Sequence, residues 1–322
     1  VSKLGEKVRV LAHASSANLG PGFDIFGIAL DAFYDIVEIE RINGEKIIIE
    51  NYGKYGDIIP KDPRKNVAGI VAKSMLNHYY GKKIGLKISI FKGVKPSSGL
   101  GSSGATAAAT ALALKNLFKI NASIEELIYF AAQGEKASAG TPHMDNVAAS
   151  LLGNFTLIYS TNPPKFINLK VPENIEIAIV SPEIKIKEKA KTKYARKILP
   201  KKVELGKVVH NVGHACLIIA GFLLSNINLI GEGMSDRIIE PARSKIVPFY
   251  EKIRNNALKN GAAGVAISGA GPSIIALVDS SKIETIKIAE CMKEIFEKNG
   301  IKAEAYVSKI GKEARLLKED LK

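Results

Sequence analysis

A chain of 322 residues is long enough for two domains with separate cores. Its 46% apolar content and mean hydropathy of +0.07 read as soluble and globular, without repeats or low-complexity tracts. The net charge of +14, from 46 basic and 32 acidic residues, invites a nucleic-acid reading, but scattered lysines and 7% aromatics without Trp make no stacking platform.

In chain order, residues 8–12 (VRVLA) predict a strand, followed by the loop ANLGPGFD. Strands are expected over 32–42 and 46–50. Asn66 opens a helix to about Tyr79, with Val67, Ile70, Val71 and Met75 on its apolar face. A strand over 84–92 leads into a glycine loop and a small-residue helix from about Ser103 to Leu117. Ser123 and Glu126 form a capping box for a helix to about Ala139. Gly140 suits its end, and Thr141 with Pro142 suits the start of another helix to about Leu152. A strand pair follows at 154–160 and 166–169.

A second block starts with a strand at 175–181, and the domain boundary is placed near residue 171. Helices are expected over 203–225 and 243–259, then strands at 264–268 and 274–278 around GAGPS. A helix from about Ser281 to Lys298 and a strand near 302–307 close the block. That order is the ferredoxin-like plan with an extra helix, and the class is α+β. The apolar run Ala215 to Leu224 is shorter than the roughly 20 residues a bilayer needs and reads as a buried core helix rather than a dimer interface. Cys216 and Cys291 read as reduced core thiols. Lys3 and Lys7 precede no apolar run, so no secretory signal is expected and the cytoplasm is the expected compartment. The basic run Lys185 to Lys197 has helical spacing. It reads first as a solvated helix face, and otherwise as an attractor of a multiply charged anion such as a nucleotide.

The stretch KPSSGLGSSGATAAATALAL at 95–114 carries G-x-G-x-x-G at Gly99, Gly101 and Gly104. A dinucleotide site would need a strand after the following helix, with an acid about 20 residues on. Glu125 and Glu126 lie near that distance, but in the first turn of another helix, so no β-α-β unit is completed. A P-loop would need lysine where Ala105 stands. What remains is a backbone cradle at a helix N-terminus, with serine hydroxyls, suited to phosphate. A polyphosphate there needs a counter-charge, and Mg²⁺ held through a carboxylate would supply it. Glu135 is the candidate, an acid at the helix end where the dipole disfavours an anion, although taken alone it reads first as a solvated glutamate.

Three motifs occur in order: HASSANLGPGFDIFGIAL at 13–30, PSSGLGSSGATAAA at 96–109 and VAISGAGPSIIALV at 265–278. Together they resemble the signature motifs of the GHMP kinases. The first, with HMDNVAASLLG at 143–153, is similar to the homoserine kinase branch, apart from His13 where many members have Pro. The resemblance implies an N-terminal ribosomal-S5-domain-2-like domain (1–170) and a C-terminal ferredoxin-like domain (171–322). ATP and L-homoserine would meet between them, yielding O-phospho-L-homoserine in threonine biosynthesis. It further implies that Lys95, Pro96, Ser97, Ser98, Gly99, Leu100, Gly101, Ser102, Ser103, Gly104 and Ala105 cradle the ATP phosphates. Ser103 and Glu135 would sit at Mg²⁺, and Asn66 near the adenine.

Homoserine offers a carboxylate, an ammonium and a hydroxyl, which call for an arginine fork, an acid and a polar orienting group. Thr192 and Arg196 are spaced to share a helix face. Arg196 and Arg243 match the places where homoserine kinases hold the substrate carboxylate, with Arg237 a nearby competitor for the second. Asp24 and Asp145 are candidates for the ammonium, and Asn18 and Asn146 for orienting the hydroxyl. His143 shares a helix face with Asn146. Relatives such as mevalonate kinase are thought to use an Asp as base. Here Asp145 is the residue placed for that, yet orientation by Asn146 with charge neutralisation is the favoured catalysis. The alternatives are another GHMP kinase, acting on mevalonate, shikimate or a sugar, and a basic RNA-binding protein. Homoserine and ATP are the expected partners, with no nucleic acid or membrane, and a homodimer stays open.

Overall fold

The computed structural model describes residues 3–139, 142–184 and 191–317. Two long strands, β1 (Lys7–Asn18) and β2 (Gly22–Arg41), form the spine of a first sheet. β3 (Ile47–Tyr52), α1 (Val67–Tyr80) and β4 (Leu86–Lys92) follow, then α2 (Ser102–Phe118), α3 (Ile124–Ala139) and α4 (Met144–Leu152). The hairpin β5 (Phe155–Thr161) and β6 (Pro164–Leu169) extends the sheet from β2. After residue 171 the chain builds a second sheet. It comprises β7 (Ile175–Pro182), α5 (Lys191–Lys197), α6 (Leu205–Leu223), α7 (Ile227–Gly233), α8 (Glu240–Arg243), α9 (Tyr250–Lys259), β8 (Gly264–Ile267), β9 (Ile274–Asp279), α10 (Thr285–Glu297) and β10 (Ala303–Ser308). β11 (Arg315–Leu316) returns to pair with β1, so the end of the described chain rejoins the first sheet.

The second sheet has strand order β10-β7-β9-β8 and is antiparallel throughout. That is the ferredoxin-like order, as the element sequence predicts. In the first sheet the β3–β4 pair is parallel, joined through α1. α2 is not followed by a strand of a parallel unit but by α3 and α4, which agrees with the rejection of a dinucleotide fold.

Local differences from the sequence expectations have physical causes. β1 runs six residues past Ala12 because its small polar residues, Ser15 and Ser16 among them, are buried. The helix expected over 243–259 is three pieces: α8, a 3-10 turn at Ser244–Ile246, and α9. Pro248 cannot donate to a helix, and Phe249 sits at φ 62°. α4 begins at Met144 with His143 at the N-cap, not at the expected Pro142, while Gly140 and Thr141 lie outside the described residues. The stretch 215–224 is only partly core. Ile218 and Phe222 are buried, but Leu223, Leu224 and Cys216 are exposed, because α6 presents one side to its domain and the other to solvent. Cys216 is therefore not the core thiol expected. Residues 185–190 of the basic run lie outside the described residues; the rest, Lys191–Lys197, is α5.

Two cores matter for the site. One fills the space between the first sheet and α1–α4, and α2, with its run of alanines, is buried along nearly its whole length. The second joins the sheets: Phe26 and Phe155 from the first meet Ile177 and Leu277 from the second and Phe222 from α6. Burial at about 25 cal/mol per Å² on both sides fixes the sheets against each other. The motif loops sit at that junction.

Candidate active site

A cleft of about 340 Å³ opens where the three motif loops converge. The loops are tied to one another by hydrogen bonds. Ser268 Oγ donates to Gly99 O at 2.8 Å and is hydrogen-bonded to the Ser16 hydroxyl at 2.8 Å. The Gly269 N–H donates to Ala17 O, and the Ser273 N–H to Ser98 O. Asn18 Nδ2 donates to Gly269 O at 3.2 Å while its Oδ1 accepts from the Asp24 N–H. Each loop therefore depends on the other two for its shape.

The glycine spacing is demanded by this packing. Gly99 lies at φ 91°, and a Cβ there would fall 2.4 Å from Ser268 O. Gly101 lies at φ 63°, and a Cβ would fall 2.1 Å from Ser15 Oγ and 2.9 Å from Asn146 Oδ1. Gly101→Ala should therefore push the Asn146 side chain out of register, at a backbone cost of about 1–3 kcal/mol. The expected result is a kcat loss of roughly tenfold or more with a lower melting temperature, read by steady-state kinetics and calorimetry. An unchanged kcat would show that Asn146 need not be held there.

Among the expected phosphate-loop residues, Pro96, Ser97, Gly99, Gly101, Ser102 and Ser103 line the cleft. Ser98 is buried beneath it, donating to Lys95 O and accepting from the Leu100 N–H. Leu100 and Ala105 lie in the second core, and Gly104 lets α2 pass close to the backbone of Asn146. These four shape the loop and do not line it; neither does Lys95. The first turn of α2 opens on the cleft, so unpaired N–H groups and the positive dipole end face an incoming anion.

Sequence reasoning missed a lysine. Lys92 ends β4, is 2% exposed and lines the cleft beside Ser102 and Thr106. Its Nζ donates to Asp35 Oδ2, to Ser102 O at 2.6 Å and to Thr106 Oγ1 at 2.9 Å. Asp35 also accepts from the Gly93 and Val94 N–H groups. The pair is neutral overall, so it stiffens the loop entry rather than adding net positive charge. Removing one partner of such a pair typically costs about 3–5 kcal/mol. Asp35→Ala should lower the melting temperature by ten degrees or so at about 4 kcal/mol, measured by thermal unfolding. A shift within a degree would refute the bracing role. Ile58, Ile59, Pro60 and Lys65 were missed as well, and they line the wall beside Asn66. Asn66 lines the cleft too, with its amide spent on capping α1 through the Ala68 N–H and on Pro60 O.

Glu135 sits near the end of α3, 3% exposed, on the cleft wall. His143 Nδ1 lies 3.3 Å from its Oε2. Burial alone would lower the His143 pKa, but the Glu135 bond and the charges of Asp145, Glu135 and Asp24 outweigh it and raise it. Ser103 lines the same cleft. One carboxylate and one hydroxyl fit a divalent ion shared with phosphate oxygens. Among the described residues no group of three or more His, Cys, Asp or Glu could hold a metal by itself.

Asp145 is 1% exposed and accepts from the Asn146 N–H at 2.8 Å. Burial pushes its pKa up to about 6; His143 pulls it down, and Asp24 adds to the rise. Asn146 Oδ1 accepts from Ser15 Oγ at 3.1 Å, which leaves its Nδ2 toward Asp145 Oδ1 and the cleft. Ser15, another missed residue, thus sets the flip of that amide.

Arg196 Nη2 donates to both Asp24 oxygens, at 2.8 and 2.7 Å. Arg243 is buried, with Nη1 donating to Gly269 O at 2.6 Å and Nε buried without a partner among the described residues. Both guanidinium groups lie about 5 Å from the Phe23 ring, at 5.2 and 5.1 Å. Burial lowers the Arg243 pKa, Asp24 raises it, and Arg196 lowers it again. Arg237 lines a separate cavity with Lys202, Lys207 and Lys245, so of these two arginines it is Arg243 that joins Arg196 in the cleft. Its position is inherited from α8, which Glu240 fixes by accepting from the Ile267 N–H and Tyr250 OH. Burial pushes the Glu240 pKa up to about 8. The Thr192 side chain lies outside the described residues.

Two family models match the chain: "GHMP kinases N terminal domain" over residues 66–154 and "GHMP kinases C terminal" over 218–298. A homoserine kinase of Methanocella arvoryzae is 41% identical, covering 98% of this chain and 99% of its own length. One from Thermoplasma volcanium is 40% identical, covering 92% of each. The crystal structure of homoserine kinase from Cytophaga hutchinsonii superposes with a TM-score of 0.89 at 34% identity, covering 98% of this chain and 99% of that one.

Proposed function

The chain belongs to the GHMP kinases, and from that premise we propose that it phosphorylates the hydroxyl of L-homoserine with ATP, forming O-phospho-L-homoserine for threonine biosynthesis. The observation that carries this reading is one cleft holding both a helix N-terminus for phosphate and a buried arginine with an acid opposite it. A phosphate chain and an amino acid's two charges are the ligands such a cleft fits.

In this reading the α2 N-terminus and the loop amides hold the ATP phosphates, and the wall from Ile58 to Val67 takes the adenine. Ser103 and Glu135 hold Mg²⁺, which when bound neutralises phosphate charge. Arg243 and Arg196 take the homoserine carboxylate. Arg196 must release Asp24 to do so, and that frees Asp24 for the ammonium, shared with Asp145. Asn146, its amide fixed by Ser15, presents Nδ2 to the hydroxyl and aligns it with the γ-phosphoryl group. Asn18, with both amide ends committed, braces the loops. We assign Asp145 to the ammonium rather than to base catalysis, because phosphoryl transfer leans on positioning and charge. We place the enzyme in the cytoplasm with small molecules as substrates and neither nucleic acid nor membrane as partner.

ADP release measured with homoserine, mevalonate, shikimate and galactose tests the assignment. Homoserine should lead by at least about 10³ in kcat/KM, and a comparable rate with any other acceptor would overturn it. The Asp145 assignment has its own test in pH. With its pKa raised to about 6, the carboxyl is protonated below that pH and cannot pair with an ammonium. The kcat/KM for homoserine should therefore rise about tenfold per unit up to pH 6 and level off above, while Asp145→Asn should flatten that limb. Asp145→Asn should also leave measurable turnover at saturating homoserine. Complete loss of kcat with intact homoserine binding would make Asp145 the base.

A further inference from the structure

Arg243 stands on a helix too short to hold itself. α8 runs only from Glu240 to Arg243, and a single helical turn without outside support is not stable in water. Three anchors therefore place it. Asp236 caps its start: Oδ1 accepts from the Ile238 and Ile239 N–H groups and from Asn211 Nδ2, and Oδ2 accepts from the Glu240 N–H at 2.9 Å. Glu240 is the second anchor. Its Oε1 accepts from the Ile267 N–H at 2.7 Å, and its Oε2 lies 2.8 Å from the Tyr250 hydroxyl. Arg243 is the third, through Nη1 on Gly269 O. Glu240 and Arg243 thus grip the same edge at two points, Ile267 and Gly269, where β8 runs into the third motif loop. Residues three apart share a helix face, so the acid and the arginine work on that edge together.

Glu240 is 7% exposed and is not among the residues that line the cleft. A buried carboxyl is costly unless its oxygens are used. Burial pushes its pKa up to about 8 against the Ile267 and Tyr250 bonds, with Asp236 adding to the rise and Arg254 opposing it. The Tyr250 hydroxyl suits either form of the acid. It donates to a charged carboxylate, or accepts from a neutral one and turns its own proton toward Val265 O at 3.5 Å. In both forms the side chain ties α8 to β8 through Ile267 and to α9 through Tyr250.

We propose that Glu240 is the positioning residue of the substrate-carboxylate site: it touches no ligand and sets the point at which the Arg243 fork meets homoserine. The inference rests on the assignment of Arg243 to that carboxylate. Without the acid, the Ile267 N–H loses its acceptor and α8 is held at its start and by Arg243 alone. A fork displaced by about 1 Å is enough to spoil a two-point contact with a carboxylate.

Glu240→Ala should raise KM for homoserine about 10–100-fold, with kcat and KM for ATP within about threefold of native. Glu240→Gln keeps an acceptor for Ile267 and a donor for Tyr250, so it should hold KM for homoserine within about threefold. Glu240→Ala combined with Arg243→Lys should lose no more homoserine affinity than Arg243→Lys alone, because the acid acts only through the arginine. Tyr250→Phe removes one hydroxyl from the same network and should raise KM for homoserine in the same direction. It decides the matter if Glu240→Ala folds poorly. An unchanged homoserine KM in either variant with native circular dichroism overturns the inference. So do losses that multiply in the double variant, or a Glu240→Gln as impaired as Glu240→Ala. An equal rise in KM for ATP also overturns it and makes Glu240 a brace of the third motif loop. A native protein inactive on homoserine would sink the proposed activity and this inference with it. One active on homoserine but indifferent to Glu240→Ala sinks this inference alone.

Discussion

Glu135→Gln should lower kcat by about 10²–10³ at saturating homoserine and ATP and raise the Mg²⁺ concentration needed for half-maximal rate. The carboxylate is buried on the cleft wall, across from the first turn of α2, at a helix end that disfavours an anion. An acid kept in such a place calls for a positive partner, and His143, whose pKa its bond to Glu135 helps to raise, lies 3.3 Å away. Gln keeps the volume and one acceptor but loses the charge, so the effect should appear in the metal dependence and little in the melting temperature. Glu135→Asp should recover part of the rate with a weaker Mg²⁺ response. His143→Asn separates a role through the imidazole from a role at the metal. If it reproduces the Mg²⁺ effect of Glu135→Gln, the carboxylate acts through His143. An unchanged Mg²⁺ dependence in Glu135→Gln would remove Glu135 from the metal site.

What the sequence made legible was local. The glycine loop, the alanine-rich helix after it and the carboxylate at the end of α3 are written in consecutive residues with their own turn and helix chemistry. What it hid was set by pairing between distant strands. Lys92 faces Asp35 because β2 and β4 are registered residue for residue there. Nothing in either segment alone marks the two as partners. A P-loop lysine would stand downstream of the glycines, whereas Lys92 stands on the strand before them, paired with Asp35. Ser15 was hidden because the predicted strand stops at Ala12, whereas β1 continues to Asn18. The break between α8 and α9 falls at Pro248, inside the span 243–259 expected as one helix, because proline cannot donate to a helix.

The glycine fingerprint shows how one spacing serves different physics. In a dinucleotide fold the glycines allow close approach of the pyrophosphate. Here Gly99 and Gly101 are required by protein atoms, Ser268 O and Ser15 Oγ, that press against the loop from the other two motifs. The three motifs are thus one packing unit, and the shape of the glycine loop is a property of the junction between the sheets.

Arg243→Lys should raise KM for homoserine by about 30-fold to 10³-fold, equivalent to roughly 2–4 kcal/mol, with a smaller effect on kcat. Arg243 is 5% exposed and uses one nitrogen on Gly269 O, which leaves the rest of its fork for a ligand. A lysine reaches that carbonyl or a carboxylate, not both, and loses the guanidinium contact over the Phe23 ring. Arg196→Lys should cost less, since Arg196 is a third exposed and already spends its charge on Asp24 in the free protein. The amide of homoserine discriminates the cause. It lacks the negative charge, so Arg243→Lys should weaken its use far less than that of homoserine. Equal losses for acid and amide would mean that Arg243 shapes the cleft through Gly269 and does not read the carboxylate.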